Sequence, residues 1–258
     1  MKRDILRQFA VIFTTIYALV LNGAANAIPL NGHTTAQVSD SFNVLFVPAG
    51  YVFSIWGVIY LGLLAFTIYH SLPSRRSNPK MQRTGWLVAL SSLVNGTWIY
   101  FWQFGYYAAT LVTMLVLLVT LIAIYLRLDI GRTVVGAAER WCVHLPFSIY
   151  LGWITVATIA NTSDVLSYYK WNGFGVSPLA WTLLLLAVGV VLAGISAFTR
   201  RDMAYLLVLV WAFAGISVRF LDLPVLNVAG FAAAALVLAI LAISRIPGFR
   251  RTSLQMTV

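Results

Sequence analysis

Acidic residues are scarce in this chain, which carries only 7 Asp and Glu among 258 residues, and charged residues of either sign make up 9% of it. A soluble domain carries about 25%, so water is not the main solvent here. One cysteine, Cys142, and three histidines exclude a disulfide framework and the ligand spacing of a structural zinc site, and they leave the redox compartment unread. The same scarcity thins the catalytic options. No paired-carboxylate site, His-Glu-x-x-His motif or Gly-x-Ser-x-Gly turn is present in the apolar runs, and none of those runs holds a Lys for a retinal Schiff base. With no acidic residue expected well inside a span, proton- or sodium-coupled transport is also disfavoured.

What remains is apolar: 61% of the residues are hydrophobic and the mean hydropathy is +0.89. The formal net charge of +10 does not indicate nucleic acid, because the basic residues are spread between apolar runs rather than gathered on one soluble surface. A helix crossing the hydrocarbon core needs roughly 20 mainly apolar residues. Eight such runs are expected near residues 5–27, 48–71, 86–105, 108–128, 142–160, 179–198, 203–221 and 225–244. The fold class is therefore all-α, a polytopic membrane helix bundle with about eight transmembrane helices and membrane lipids as its surroundings. Fifteen of the 17 Lys and Arg, from Lys2, Arg3 and Arg7 to Arg245, Arg250 and Arg251, fall in alternate connections. Positive charge stays on the cytoplasmic side, so both termini are expected there, in a bacterial plasma (inner) membrane. The first run, with Met1-Lys2-Arg3 ahead of it and Ala25-Asn26-Ala27 at its end, also describes a secretory signal peptide; its length favours a span.

Tryptophan and tyrosine mark membrane interfaces, a role that suits Trp86, Trp141, Trp171, Trp181, Tyr168 and Tyr169. Trp56, Trp98, Trp153 and Trp211 lie deeper. The first three sit about seven to nine residues from the outer ends of their runs, or roughly 10 to 14 Å at about 1.5 Å per residue. Residues three or four apart share a helix face, which defines three stripes: Phe53, Trp56 and Tyr60; Asn95, Trp98 and Trp102; Trp153, Ala157 and Asn161. An amide in hydrocarbon faces the bundle or a cavity, so Asn95 is expected to turn Trp98 inward. Converging stripes would make an aromatic, sparsely polar pocket for a flat hydrophobic ligand; otherwise they fill the core or face lipid.

At these residues a family resemblance emerges. The stretch Phe46-Val47-Pro48-Ala49-Gly50-Tyr51-Val52-Phe53-Ser54-Ile55-Trp56-Gly57-Val58-Ile59-Tyr60, then Asn95-Gly96-Thr97-Trp98, then Pro146 through Trp153 to Asn161 resemble, in order, elements of the TspO/MBR tryptophan-rich sensory proteins. The resemblance covers roughly residues 5–165. It implies a five-helix ligand-binding region over 1–165, followed by an additional three-helix region with a short basic tail over 166–258. It also implies that Trp56, Trp98, Trp153, Ala157 and Asn161 face a cavity under a lid formed by the first loop, residues 27–47. Family members bind porphyrins such as protoporphyrin IX, and some bind sterols or synthetic aromatics, so a porphyrin-like ligand is implied and no obligatory cofactor. The chain departs from the pattern in having only Pro48 ahead of Phe53 and in continuing for three more spans.

Several features take blander readings. Arg219, the one charge placed inside a span, is expected to pair with Asp222 at i+3 or to reach the interface. His144 reads as a hydrogen-bonded structural residue. Ala229, Gly230, Ala233 and Ala234 form a small-residue face suited to close helix packing, within the chain or in a homodimer. Asn161-Thr162-Ser163 matches an N-glycosylation acceptor. The function expected is ligand binding or sensing rather than catalysis; the alternatives are a facilitator-type transporter of a small amphipathic solute and a structural subunit of a membrane complex.

Overall fold

The computed structural model describes residues 2–246; Met1 of the leader-like start and Arg250 and Arg251 of the basic tail lie outside the described residues. Within them the chain forms nine α-helices and no strand: α1 (Lys2–Ala27), α2 (Thr35–Asp40), α3 (Ile55–Ser71), α4 (Pro79–Gln103), α5 (Tyr107–Arg127), α6 (Ala137–Tyr168), α7 (Pro178–Thr199), α8 (Met203–Arg219) and α9 (Pro224–Ser244). All but α2 correspond to the eight expected runs. Six are long and apolar enough to cross a membrane: α1, α3 with its preceding turn, α5, α6, α7 and α9. α8 is apolar but has 17 residues, and α4 is long but carries Thr84, Ser91, Ser92, Asn95 and Gln103 on its buried side. The result is an integral, multi-pass membrane helix bundle.

Local chemistry sets the helix starts. Proline occupies the first turn of α4, α7 and α9, where its missing N–H costs nothing and its fixed φ suits the helix. The Asn78 side chain accepts from the backbone N–H groups of Lys80 and Met81, Ser177 from that of Ala180, and Asp202 from those of Ala204 and Tyr205, which satisfies donors that a helix start leaves open. Between α4 and α5 the chain turns through Gly105 at φ 78°, a left-handed conformation that glycine adopts without a Cβ clash.

One group of helices packs α1 on α4 and α3, α4 on α5, and α5 and α3 on α6; a second packs α7, α8 and α9 together, and α6 against α8 joins the two. α1 belongs to the bundle through a stripe of Val11, Thr15, Ala18, Asn22 and Ala25, all buried, at the three- and four-residue spacing of one helix face. Gly152 lets α8 approach α6, since a Cβ there would meet Val208 Cβ at 3.0 Å and the Tyr205 carbonyl at 3.1 Å. Gly230 does the same between α9 and α8, facing Ser217 and the Phe213 carbonyl, and Ala233 and Ala234 are buried beside it. The small-residue face of α9 is therefore used within the chain.

The basic connections gather at one end of the bundle. Arg7 donates to the Arg76 carbonyl at 2.7 Å, Lys80 pairs with Glu139 at 2.6 Å, Arg127 donates to the Arg83 carbonyl at 2.9 Å, and Arg200 pairs with Asp129 at 3.0 Å. At this end His144 lies in a π-turn, Arg140–His144, with Nε2 3.7 Å from Glu139 Oε1.

Four expectations are corrected. The fifth run was expected to end near residue 160, but α6 continues to Tyr168. Asn161 is consequently 2% exposed inside a helix, which removes it as a glycosylation acceptor, because the acceptor amide must be reachable. The same extension carries Asp164 into α6, where it is 2% exposed, so an acidic residue does lie buried in a membrane helix. Arg219, at the last position of α8, pairs with Asp40 at the end of α2 rather than with Asp222.

Candidate ligand cavity

The three aromatic stripes meet. A 3-10 turn over Gly50–Ser54 leads into α3 and sets Trp56 one residue inside the helix, between α4 and α6. The Trp56 ring lies 6.0 Å from Trp98 and 6.1 Å from Trp153, centroid to centroid, stacked on the first and edge-on to the second. Phe53 meets Trp153 edge-on at 5.9 Å, and Trp102 stacks on Trp98 at 5.6 Å. These separations are those of attractive aromatic pairs, and all four indoles are buried.

Among the nine residues expected at the site, Phe53, Trp56, Trp98, Trp102, Trp153, Ala157 and Asn161 line one cavity of about 40 Å³. Tyr60 and Asn95 do not. Tyr60 stacks on the far side of Trp56 at 5.4 Å, backing the wall. Asn95 is fully buried, and its carbonyl oxygen accepts from the Asn22 amide of α1 at 2.8 Å; its burial in the bundle agrees with the sequence reading, but its polar contact is with α1. Asn161 donates to Thr110 Oγ1 of α5 at 3.0 Å.

The first loop closes one end of this cavity, with Thr35 and Ser39 of α2 and Pro48 among the lining residues. α2 starts with a capping box in which Thr34 and Gln37 satisfy each other's backbone N–H groups, a reciprocal arrangement that fixes a short helix. It is held down by Trp102 Nε1, which donates to the Thr35 carbonyl at 3.2 Å, by Asn26, which accepts from the Thr35 N–H at 3.4 Å, and by the Asp40–Arg219 pair. The segment after it is fastened by α8. Trp211 Nε1 donates to the Val52 carbonyl at 3.1 Å, and the Ala49 N–H donates to the Gly215 carbonyl at 3.0 Å. The later helices thus position the approach to the aromatic cluster, which also accounts for the deep placement of Trp211.

Five polar atoms on the cavity wall have no hydrogen-bond partner among the described residues: Trp98 Nε1, Trp153 Nε1, Thr35 Oγ1, Asn161 Oδ1 and Asp164 Oδ1. Buried polar groups are nearly always partnered, so the wall offers two N–H donors, a hydroxyl and two acceptor oxygens to whatever enters. Sequence reasoning missed Asp164, Thr35 and Ser39. Asp164 was legible in principle, since it continues the Trp153, Ala157, Asn161 stripe by three residues; α2 carried only the capping signal Thr34-x-x-Gln37. Across α6, a separate and more open groove of about 490 Å³ runs between residues 43–46 and the start of α7, past Thr162, Leu166, Trp171 and Trp181.

A protein-family model described as TSPO-like protein matches residues 8–243, a span that reaches from α1 into α9. No curated protein and no solved structure matches the chain.

Proposed function

Because the chain belongs to the TSPO-like protein family, we propose that it binds a flat hydrophobic ligand, such as a porphyrin or another tetrapyrrole, in the aromatic cavity between α3, α4 and α6, as a sensor rather than an enzyme. The observation that carries this reading is the convergence of Trp56, Trp98 and Trp153 on one cavity whose rim holds unpartnered polar atoms. Aromatic walls with a few convergent polar groups are the usual composition of a small-molecule site. Such sites span about 300–1,000 Å³, against about 40 Å³ here, so binding requires the walls to part. The element that yields is α2, a six-residue helix held by few polar contacts, and its displacement is the signal a partner would read. By the retention of positive charge on the cytoplasmic side, we read the basic end of the bundle as facing the cytoplasm in a bacterial plasma membrane, with α2 and the cavity mouth on the opposite side.

The test is a tryptophan-fluorescence titration of the purified protein with protoporphyrin IX, alongside Trp56→Phe, Trp98→Phe, Trp153→Phe and Trp171→Phe. Saturable quenching weakened by the first three and not by the last is the expected result. Loss only in Trp171→Phe would move the ligand to the groove across α6, and no quenching at all would remove the reading. That open groove favours one rival, a facilitator of a small amphipathic solute; uptake of labelled solutes into proteoliposomes at turnover rates would replace the sensor with it.

A further inference from the structure

We propose that Asp164 gives the cavity a preference for ligands that present a positively charged nitrogen to the end beneath the lid. This rests on the cavity being the ligand site and narrows the class of ligand. Asp164 projects from α6 onto the cavity wall, one turn beyond Asn161 and beneath the lid residues Thr35 and Ser39. It is 2% exposed, and its Oδ1 has no hydrogen-bond partner among the described residues. The charge whose field reaches it, Arg219, is itself paired with Asp40. A carboxylate removed from water without a partner is strongly disfavoured, and a bound cation relieves that cost.

The rest of the wall points the same way. Trp56, Trp98, Trp102 and Trp153 surround the same space and are themselves buried, and in such low-dielectric surroundings the attraction between an acidic group and a cation is stronger than in water. Asn161 Oδ1 adds a second unpartnered acceptor. A ligand carboxylate at this end brings Asp164 no compensating charge, so the preference runs toward the ammonium ligand. An ammonium group at this end satisfies both the Asp164 carboxylate and the Asn161 oxygen.

The experiment compares two porphyrins that differ only in their side chains, one alkylammonium and one alkylcarboxylate, by fluorescence titration of the full chain in neutral detergent. The wild type is expected to bind the ammonium probe at least about tenfold more tightly. Asp164→Asn is expected to abolish that ratio while leaving the carboxylate probe bound as well or better, and Asp164→Glu to preserve it. A wild-type preference for the carboxylate probe, or a ratio unchanged in Asp164→Asn, overturns the proposal. If both probes quench and Trp98→Phe weakens both while the ratio ignores Asp164, the cavity remains the ligand site and only the selectivity falls. If neither probe quenches, the site and the selectivity fall together.

Discussion

The Asn22 side chain of α1 donates to the side-chain oxygen of Asn95 in α4 at 2.8 Å, with Asn95 fully buried and Asn22 2% exposed. This contact ties the first helix, whose sequence resembles a leader, to the helix that carries two of the cavity indoles. Replacing Asn22 by Ala leaves the Asn95 oxygen without a donor in a low-dielectric interior. The expected cost is about 1 to 2 kcal/mol of bundle stability, measured by thermal unfolding in detergent, with weaker ligand binding because α4 loses its brace. Asn26→Ala, a turn higher on α1, should cost less, since Asn26 is partly exposed.

Trp56 is the ring on which the cluster centres, in contact with Tyr60, Trp98, Tyr150 and Trp153. Trp56→Ala should destabilise the fold by about 3 to 5 kcal/mol, the range for emptying a buried aromatic site. Trp141→Ala, at an exposed position near the basic end, should change the unfolding temperature little. Equal effects for the two variants would mean that the cluster is not packed as described.

The Asp40–Arg219 pair joins the end of the lid to the end of α8 and is partly exposed. Exposed pairs contribute about 0.2 to 1 kcal/mol, so Arg219→Gln should leave the unfolding temperature nearly unchanged. Its effect should fall on the lid: faster proteolytic cleavage within residues 28–47 and faster ligand association and release in stopped-flow fluorescence. A cleavage rate equal to wild type would show that the pair does not restrain α2.

Gly215 lies where α8 touches the turn before α3, and an added Cβ would collide with Val52 Cγ2 and meet Pro48 Cβ at 3.3 Å. Valine has few rotamers with which to retreat, so Gly215→Ala should push the turn away from α8. We expect a loss of about 1 to 3 kcal/mol together with altered ligand affinity, although residue 215 does not line the cavity. Normal stability and affinity would show that the α8 contact does not position Trp56.

Orientation is testable by cysteine labelling in intact cells after Cys142→Ala. Ser77→Cys and Thr133→Cys, in the basic connections, should resist a membrane-impermeant reagent, whereas Asn172→Cys should react. The reverse pattern would turn the chain over in the membrane and place the cavity mouth on the cytoplasmic side.

Much of the architecture was legible in the sequence because hydrophobic length and charge placement act locally. Runs of about 20 apolar residues, ended by proline, glycine and arginine, located eight long helices to within a few residues at most ends, and the three- and four-residue spacing of Trp, Phe and Asn gave the aromatic faces. The larger exceptions were the start of α4, at Pro79 rather than near residue 86, and the end of α6. Asn161, Thr162, Ser163 and Asp164 read as a polar loop, yet their backbone continues the helix; Asn161 and Asp164 are buried on the cavity side, while Thr162 and Ser163 line the open groove. Polarity in one dimension does not reveal whether a polar residue meets water or a cavity.

What the sequence determined by itself is an apolar, basic-ended bundle of membrane helices that carries aromatic stripes on three of them. Tertiary structure alone decided which faces meet, because helix faces are set by local spacing but their partners depend on packing between residues distant in sequence. It decided that Asn95 turns to α1 rather than to the cavity, that Arg219 reaches Asp40 rather than Asp222, and that Trp211 and Gly215 hold the turn before α3. It also brought Asp164 beneath the lid, since a buried carboxyl acquires its chemical meaning only from the groups that the fold places, or fails to place, around it.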